Sequence, residues 1–139
     1  MAMFSRFSRA SAAGVALALA AAAPAVAMQP PPPSKNRARN YMTLVRDSHA
    51  APDVAACIAT GHDLTLHGDY DRLGFTASEI VAAKRAPAPQ SEAGATGPLT
   101  GVSVAGAARR RKDGAWENIT LRCQIGAAEK VVDIALERR

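Results

Sequence analysis

Hydrophobic and polar residues alternate most regularly between Val102 and Glu137. Two alternating runs flank Asp113-Gly114, a dipeptide that favours a two-residue hairpin turn. With Lys112 facing Ala115, one face carries Val102 opposite Ile125, Val104 opposite Cys123, Gly106 opposite Leu121 and Ala108 opposite Ile119. That face is apolar and predicts a core. The other face sets Ser103, Ala105, Ala107, Arg109 and Arg111 against Gln124, Arg122, Thr120, Asn118 and Trp116, and predicts a solvated surface. A second turn at Gly126–Glu129 returns a third strand, Lys130 to Glu137, with Val132, Ile134 and Leu136 inward. The C-terminal part therefore reads as an antiparallel meander.

Upstream the period changes from two to between three and four. Val54, Cys57 and Ile58 fall on one helical stripe. Ser48 is placed to cap that segment, Pro52 suits a first turn, Asp53 complements the positive end of the dipole, and Gly61 reads as the stop. Tyr41 to Val45 fits either a helical turn or a short strand. Asp63 to His67 alternates like a strand ending in a Gly68-Asp69 turn. Thr76 and Glu79 have the spacing of a capping box ahead of Ile80–Ala83, and a strand through the same residues is the competing reading. Residues 86–101 hold three prolines and three glycines, which marks a flexible surface loop. The sum is an α+β fold with one or two short helices on a small antiparallel meander.

The first 27 residues have the pattern of a cleavable export signal. Arg6 and Arg9 form a basic start, Ala10 to Ala23 is uncharged, and Ala25-Val26-Ala27 is an A-x-A cleavage site, so a mature chain is expected to begin at Met28. The apolar run is shorter than the ~20 residues that cross a bilayer, so no stable membrane insertion is expected after cleavage. Residues 28–40 contain Pro30 to Pro33 followed by Lys35, Arg37 and Arg39, and read as a disordered tether ahead of a single domain over 41–139. Removing 27 of 139 residues leaves 112, enough for one small domain.

Charge narrows the function classes. Arg6 and Arg9 leave with the signal, so 17 basic residues become 15 against 12 acidic ones, and +5 falls to +3. A nucleic-acid partner is not expected, because the modest excess is matched by only four mature aromatics, Tyr41, Tyr70, Phe75 and Trp116. Cys57 and Cys123 are the only cysteines, and in an exported chain they predict one disulfide. Cys57 on the helical stripe and Cys123 on the apolar strand face point at each other. Closing that loop restricts the unfolded chain by roughly 4 kcal/mol.

Gly106-Ala107-Ala108-Arg109-Arg110-Arg111-Lys112-Asp113-Gly114-Ala115-Trp116, followed by Leu121-Arg122-Cys123, resembles the C-terminal half of a family of small exported alphaproteobacterial proteins known only as a domain of unknown function. The resemblance spans about 40 residues, shares an earlier cysteine near Cys57, has Glu117 where the family shows an aromatic, and implies no activity.

Candidate chemistry is sparse. His62, Asp63, His67 and Asp69 are ligand types for a divalent metal, but as a strand Asp63 and His67 share a face that excludes His62, so no metal or cofactor site is assigned. No serine lies in a G-x-S-x-G or S-x-x-K context, both cysteines are committed to the bond, and Asp69 and Asp71 read as solvated loop groups, so no enzyme is expected. One surface remains. Arg109, Arg111, Trp116 and Arg122 gather on the solvated hairpin face, with Arg111 facing Trp116 for a cation–π contact of about 0.5–1 kcal/mol. This predicts a periplasmic or secreted, envelope-associated protein without catalysis. The alternative is a binding or inhibitor module using that face against an acidic envelope polymer or the acidic cleft of an extracytoplasmic hydrolase.

Overall fold

A computed structural model describes residues 28–89 and 97–139. Three helices, α1 (Arg37–Asp47), α2 (Pro52–Leu64) and α3 (Ala77–Val81), accompany five strands, β1 (Tyr70–Gly74), β2 (Lys84–Ala88), β3 (Leu99–Arg110), β4 (Trp116–Ile125) and β5 (Val131–Arg138). All pairings are antiparallel. The long β3 carries β1 along one half of an edge and β2 along the other, then β4 and β5 follow in order. The fold is α+β with one disulfide.

α2 explains the packing. Its residues from Asp53 to Gly61 are all buried, and the helix lies on the inner face formed by Val102, Val104, Ala108, Ile119, Leu121, Cys123 and Ile134. Pro52 occupies the first turn, as expected. Gly61 does not stop the helix, which runs on to Leu64. A Cβ there would lie 2.7 Å from Leu121 Cδ2 and 3.2 Å from Leu73 Cδ1, so the glycine serves close approach of helix to sheet. The strand expected over Asp63–His67 is accordingly replaced by the last helical residues and a turn.

Cys57 and Cys123 are bonded, with Cα atoms 5.7 Å apart, and join α2 to β4 inside the core. α1 packs on α2 through Tyr41, Leu44 and Val45, which decides the open choice at Tyr41–Val45 in favour of a helix.

The hairpin keeps its predicted faces and changes its register. Val102 pairs with Cys123 and Arg109 with Trp116, two residues from the expected partners. The cause is a longer turn. Arg110 N–H donates to the Ala115 carbonyl, Gly114 N–H donates back to Arg110, and Asp113 accepts from the Ala115 N–H, leaving 111–114 as a four-residue connection with Gly114 at φ 69°. A slip of two preserves every inward residue because strand side chains alternate with period two, whereas a slip of one would have inverted the sheet. On β5 an irregularity opposite Gln124 and Ile125 buries Val131, and Val132, expected inward, is only half-buried.

One open choice is decided and two other expectations change. α3 follows the capping box, in which Thr76 Oγ1 accepts from the Glu79 N–H and the Glu79 carboxylate accepts from the Thr76 N–H, and β2 begins three residues after α3 ends. The predicted loop 86–101 surrenders both ends to β2 and β3, and its centre lies outside the described residues. Pro87 is tolerated because β2 is an edge strand. The predicted tether 28–40 is attached rather than free: Met28 bridges Ile134, the Ser34 N–H and hydroxyl both donate to buried Asp63, and α1 starts at Arg37. Residues 1–27, with the export signal, lie outside the described residues. No helix among the described residues is long and apolar enough to cross a membrane.

Candidate functional site

The four residues expected to form a partner-binding face do not converge. Arg109 does pair across the hairpin with Trp116, whose ring rests over the Gly74 backbone and remains 54% exposed. Its charge is occupied by Asp71, which accepts from Nε at 2.9 Å and from Nη2 at 2.7 Å. These hydrogen bonds hold the Asp71 carboxyl below its ordinary range. Arg122 lies six residues along β4 from Trp116, roughly 20 Å at ~3.3 Å per residue, and is paired with Glu137 at 3.0 Å.

Arg111 leaves that face altogether. As the first residue of the longer turn it directs Nε to the Gly68 carbonyl at 2.9 Å and Nη2 to the Thr65 carbonyl at 2.7 Å, so the expected stacking on Trp116 is replaced by a clamp on the α2–β1 connection. Its neutral partners leave the positive charge uncancelled. The fork geometry of guanidinium suits such multiple donation.

Around this clamp the structure assembles a cleft of about 390 Å³, lined by Gly68, Asp69, Tyr70, Arg110, Arg111, Lys112 and Arg138. It forms where the apolar inner face of the sheet, ending at Ala108 and Ile119, gives way to Arg110 and Glu117. Glu117 is the hub: it pairs with Arg110 at 2.9 Å and Arg138 at 3.2 Å and accepts from the Tyr70 hydroxyl at 2.9 Å. Asp113 takes a second contact with Arg110 at 2.6 Å, and the Ala115 N–H together with that guanidinium holds its carboxyl below the ordinary range. Lys112 makes no ion pair among the described residues. Four cationic side chains thus face the three carboxylates of Asp69, Asp113 and Glu117, which leaves a net charge of +1, and among the described residues the cations outside any ion pair are Arg111 and Lys112.

Of these residues only Arg111 belongs to the set picked out in the sequence. The Arg109–Lys112 run is visible in the sequence, but nothing local places Arg138 beside it. Topology does so, because β5 ends at the same end of the sheet as the β3–β4 turn.

The metal-type residues separate. Asp63 is tied to Ser34, His62 meets Phe75 edge to face at 6.4 Å, and Asp69 lines the cleft. Among the described residues no three His, Cys, Asp or Glu side chains are grouped to hold a metal ion. Burial pushes the His62 imidazole below its ordinary pKa of 6.5, against an opposing pull from Asp63. A folded-state pKa lowered in this way means that the unfolded chain binds the proton first. Stability contributed by neutral His62 is therefore full above about 6.5 and declines as pH falls through the depressed value. Urea titrations between neutral pH and pH ~5 should show this loss, and His62→Phe should flatten it if the half-buried imidazole is its source.

No protein-family model matches the chain, and neither a curated protein nor a solved structure is significantly similar to it.

Proposed function

We propose that this is an exported, envelope-associated protein without catalytic activity that binds an anionic envelope polymer through the cleft of Arg110, Arg111, Lys112 and Arg138. One observation carries the reading: Arg111 is locked by backbone carbonyls, which orient its guanidinium without neutralising it, beside a Lys112 that has no ion pair among the described residues. Preorganised positive charge at a concave surface attracts polyanions, and the attraction is screened by salt. The signal pattern of residues 1–27 supports placement in the periplasm or outside the cell, as does the covalent bond between Cys57 and Cys123. The resemblance to small exported alphaproteobacterial proteins agrees with this setting.

The test uses protein recovered from a periplasmic extract, with intact mass expected to place its first residue at Met28. Titration with an anionic envelope polysaccharide should show binding that weakens steeply from low to physiological salt. Lys112→Glu should reduce affinity about tenfold, since it reverses a charge that the fold does not use, and Trp116→Ala on the opposite face should leave it unchanged. Loss of binding in Trp116→Ala with retention in Lys112→Glu would overturn the assignment of the cleft.

A further inference from the structure

The outward face of the sheet carries a second concavity, separate from the basic cleft. It has a volume of about 390 Å³ and crosses four strands. Two rows of paired residues build it. Lys84, Ser103, Arg122 and Ala135 form one, and Ala86, Gly101, Gln124 and Asp133 form the other. The small residues at Ala86, Gly101, Ser103 and Ala135 leave the hollow, and its volume falls in the range of small-ligand sites.

Two features show what it would take. Gln124 Oε1 is the one buried side-chain polar atom without a hydrogen-bond partner among the described residues, and it belongs to the wall of this groove. Such a group costs stability and is rare enough in folded proteins to require a reason. Oε1 is closed to solvent as the side chain stands, and a turn of the terminal amide toward the groove would present it to a ligand N–H or O–H that supplies the missing donor. Charge supplies the second feature. Arg122 and Glu137 satisfy each other, whereas Lys84 at one end and Asp133 at the other make no ion pair among the described residues.

We infer that this groove binds a short zwitterionic peptide with small side chains, its carboxylate at Lys84, its ammonium at Asp133 and a backbone N–H donating to Gln124 Oε1. The span fits. β2 and β5 are three strand spacings apart, about 14 Å at ~4.8 Å each, and the two-residue offset between the rows makes the diagonal from Lys84 to Asp133 about 16 Å, part of which the lysine side chain bridges. An extended tripeptide covers about 10 Å. Small side chains suit it because about 390 Å³ spread over four strands makes a shallow hollow on a closely packed sheet. A longer or bulkier peptide would have to leave one charge anchor.

Trialanine is the probe, followed through the backbone amide signals of Ser103 and Arg122, which line the groove and are retained in every variant, in proton–nitrogen NMR of the oxidised protein. Those signals should shift and saturate at millimolar peptide. N-acetylation or C-amidation of the peptide should each weaken binding about tenfold, the loss of one charge-assisted contact. Two variants test the site from opposite directions. Gln124→Leu should weaken binding about tenfold while raising the thermal midpoint, because it removes both the ligand contact and the unsatisfied acceptor. Gly101→Val should abolish binding with the fold intact. A Cβ there meets the Ala86 carbonyl only at 3.4 Å, Gly101 has no positive φ, and valine suits a strand.

Unchanged signals in the presence of peptide, or equal affinity in Gln124→Leu and the parent, would overturn the assignment. So would shifts that follow protein concentration without peptide, which would identify a second copy of the chain as the occupant. The basic cleft is unaffected by either variant, so failure here leaves the polymer-binding proposal standing and is distinguishable from its failure.

Discussion

Cys57→Ala/Cys123→Ala is expected to lose about 2–5 kcal/mol of unfolding free energy, the range found when a native disulfide is removed from a small secreted domain. The bond ties α2 to β4 across 66 residues of sequence, and both sulfurs lie in the core. Two effects combine. The released unfolded chain gains conformational freedom, and alanine leaves unfilled space between the helix and the sheet. Small domains have ~5–15 kcal/mol in total, so the variant should sit close to the folding threshold at physiological temperature. Urea denaturation of the oxidised parent and the double variant measures the difference. A loss below about 1 kcal/mol would mean that packing alone seats α2 on the sheet.

Which side chains face the core is legible in the sequence because alternation and the helical stripe are local properties. Val102, Val104, Ala108, Ile119, Leu121 and Cys123 all occupy the inward face that their spacing predicts. Register is less legible, since it depends on how Asp113 and Gly114 distribute hydrogen bonds in the turn. Asp113-Gly114 is compatible with a two-residue turn, but the Asp113 carboxylate engages both Ala115 and Arg110 and extends the connection. Gly61 misleads for a related reason. A glycine near a plausible helix end signals a stop, and only the approach of Leu121 shows that the missing side chain makes room for the sheet.

The candidate site is less legible still. Arg109 and Arg122 look like free surface cations in sequence, yet Asp71 and Glu137, distant along the chain, pair with them. Exposed ion pairs of this kind contribute little to stability, about 0–1 kcal/mol, but they determine which charges remain for a partner. Long-range pairing thus moves the uncompensated charge from the Trp116 face to Arg111 and Lys112. The proline-rich segment is held down by the same kind of distant partner. Pro30–Pro33 offer no apolar stripe to bury, but Ser34 supplies two donors to Asp63, a carboxylate buried at 4% exposure that needs them.

The contact between Gly61 and Leu121 gives the second large effect. Leu121 is fully buried against α2, so Leu121→Ala should cost about 2–5 kcal/mol through lost burial and the cavity left behind. Gly61→Ala alone brings two opposing terms. Alanine is the better helix former by about 1 kcal/mol, but its Cβ would enter within 2.7 Å of Leu121 Cδ2 in a core with no exposed side to yield toward. Overpacking at such sites costs about 1–3 kcal/mol, so the net change should be destabilising or near zero. Once Leu121 is truncated, the 2.7 Å clash is gone, the remaining 3.2 Å approach to Leu73 Cδ1 can relax into the vacated space, and the new methyl occupies part of that space. Gly61→Ala should then stabilise the Leu121→Ala background by about 1 kcal/mol. The double-mutant cycle should therefore return a favourable coupling of about 1–3 kcal/mol between the two positions. Strict additivity would show that the helix and sheet do not meet at Gly61, and that α2 continues through this glycine for some reason other than close approach to Leu121.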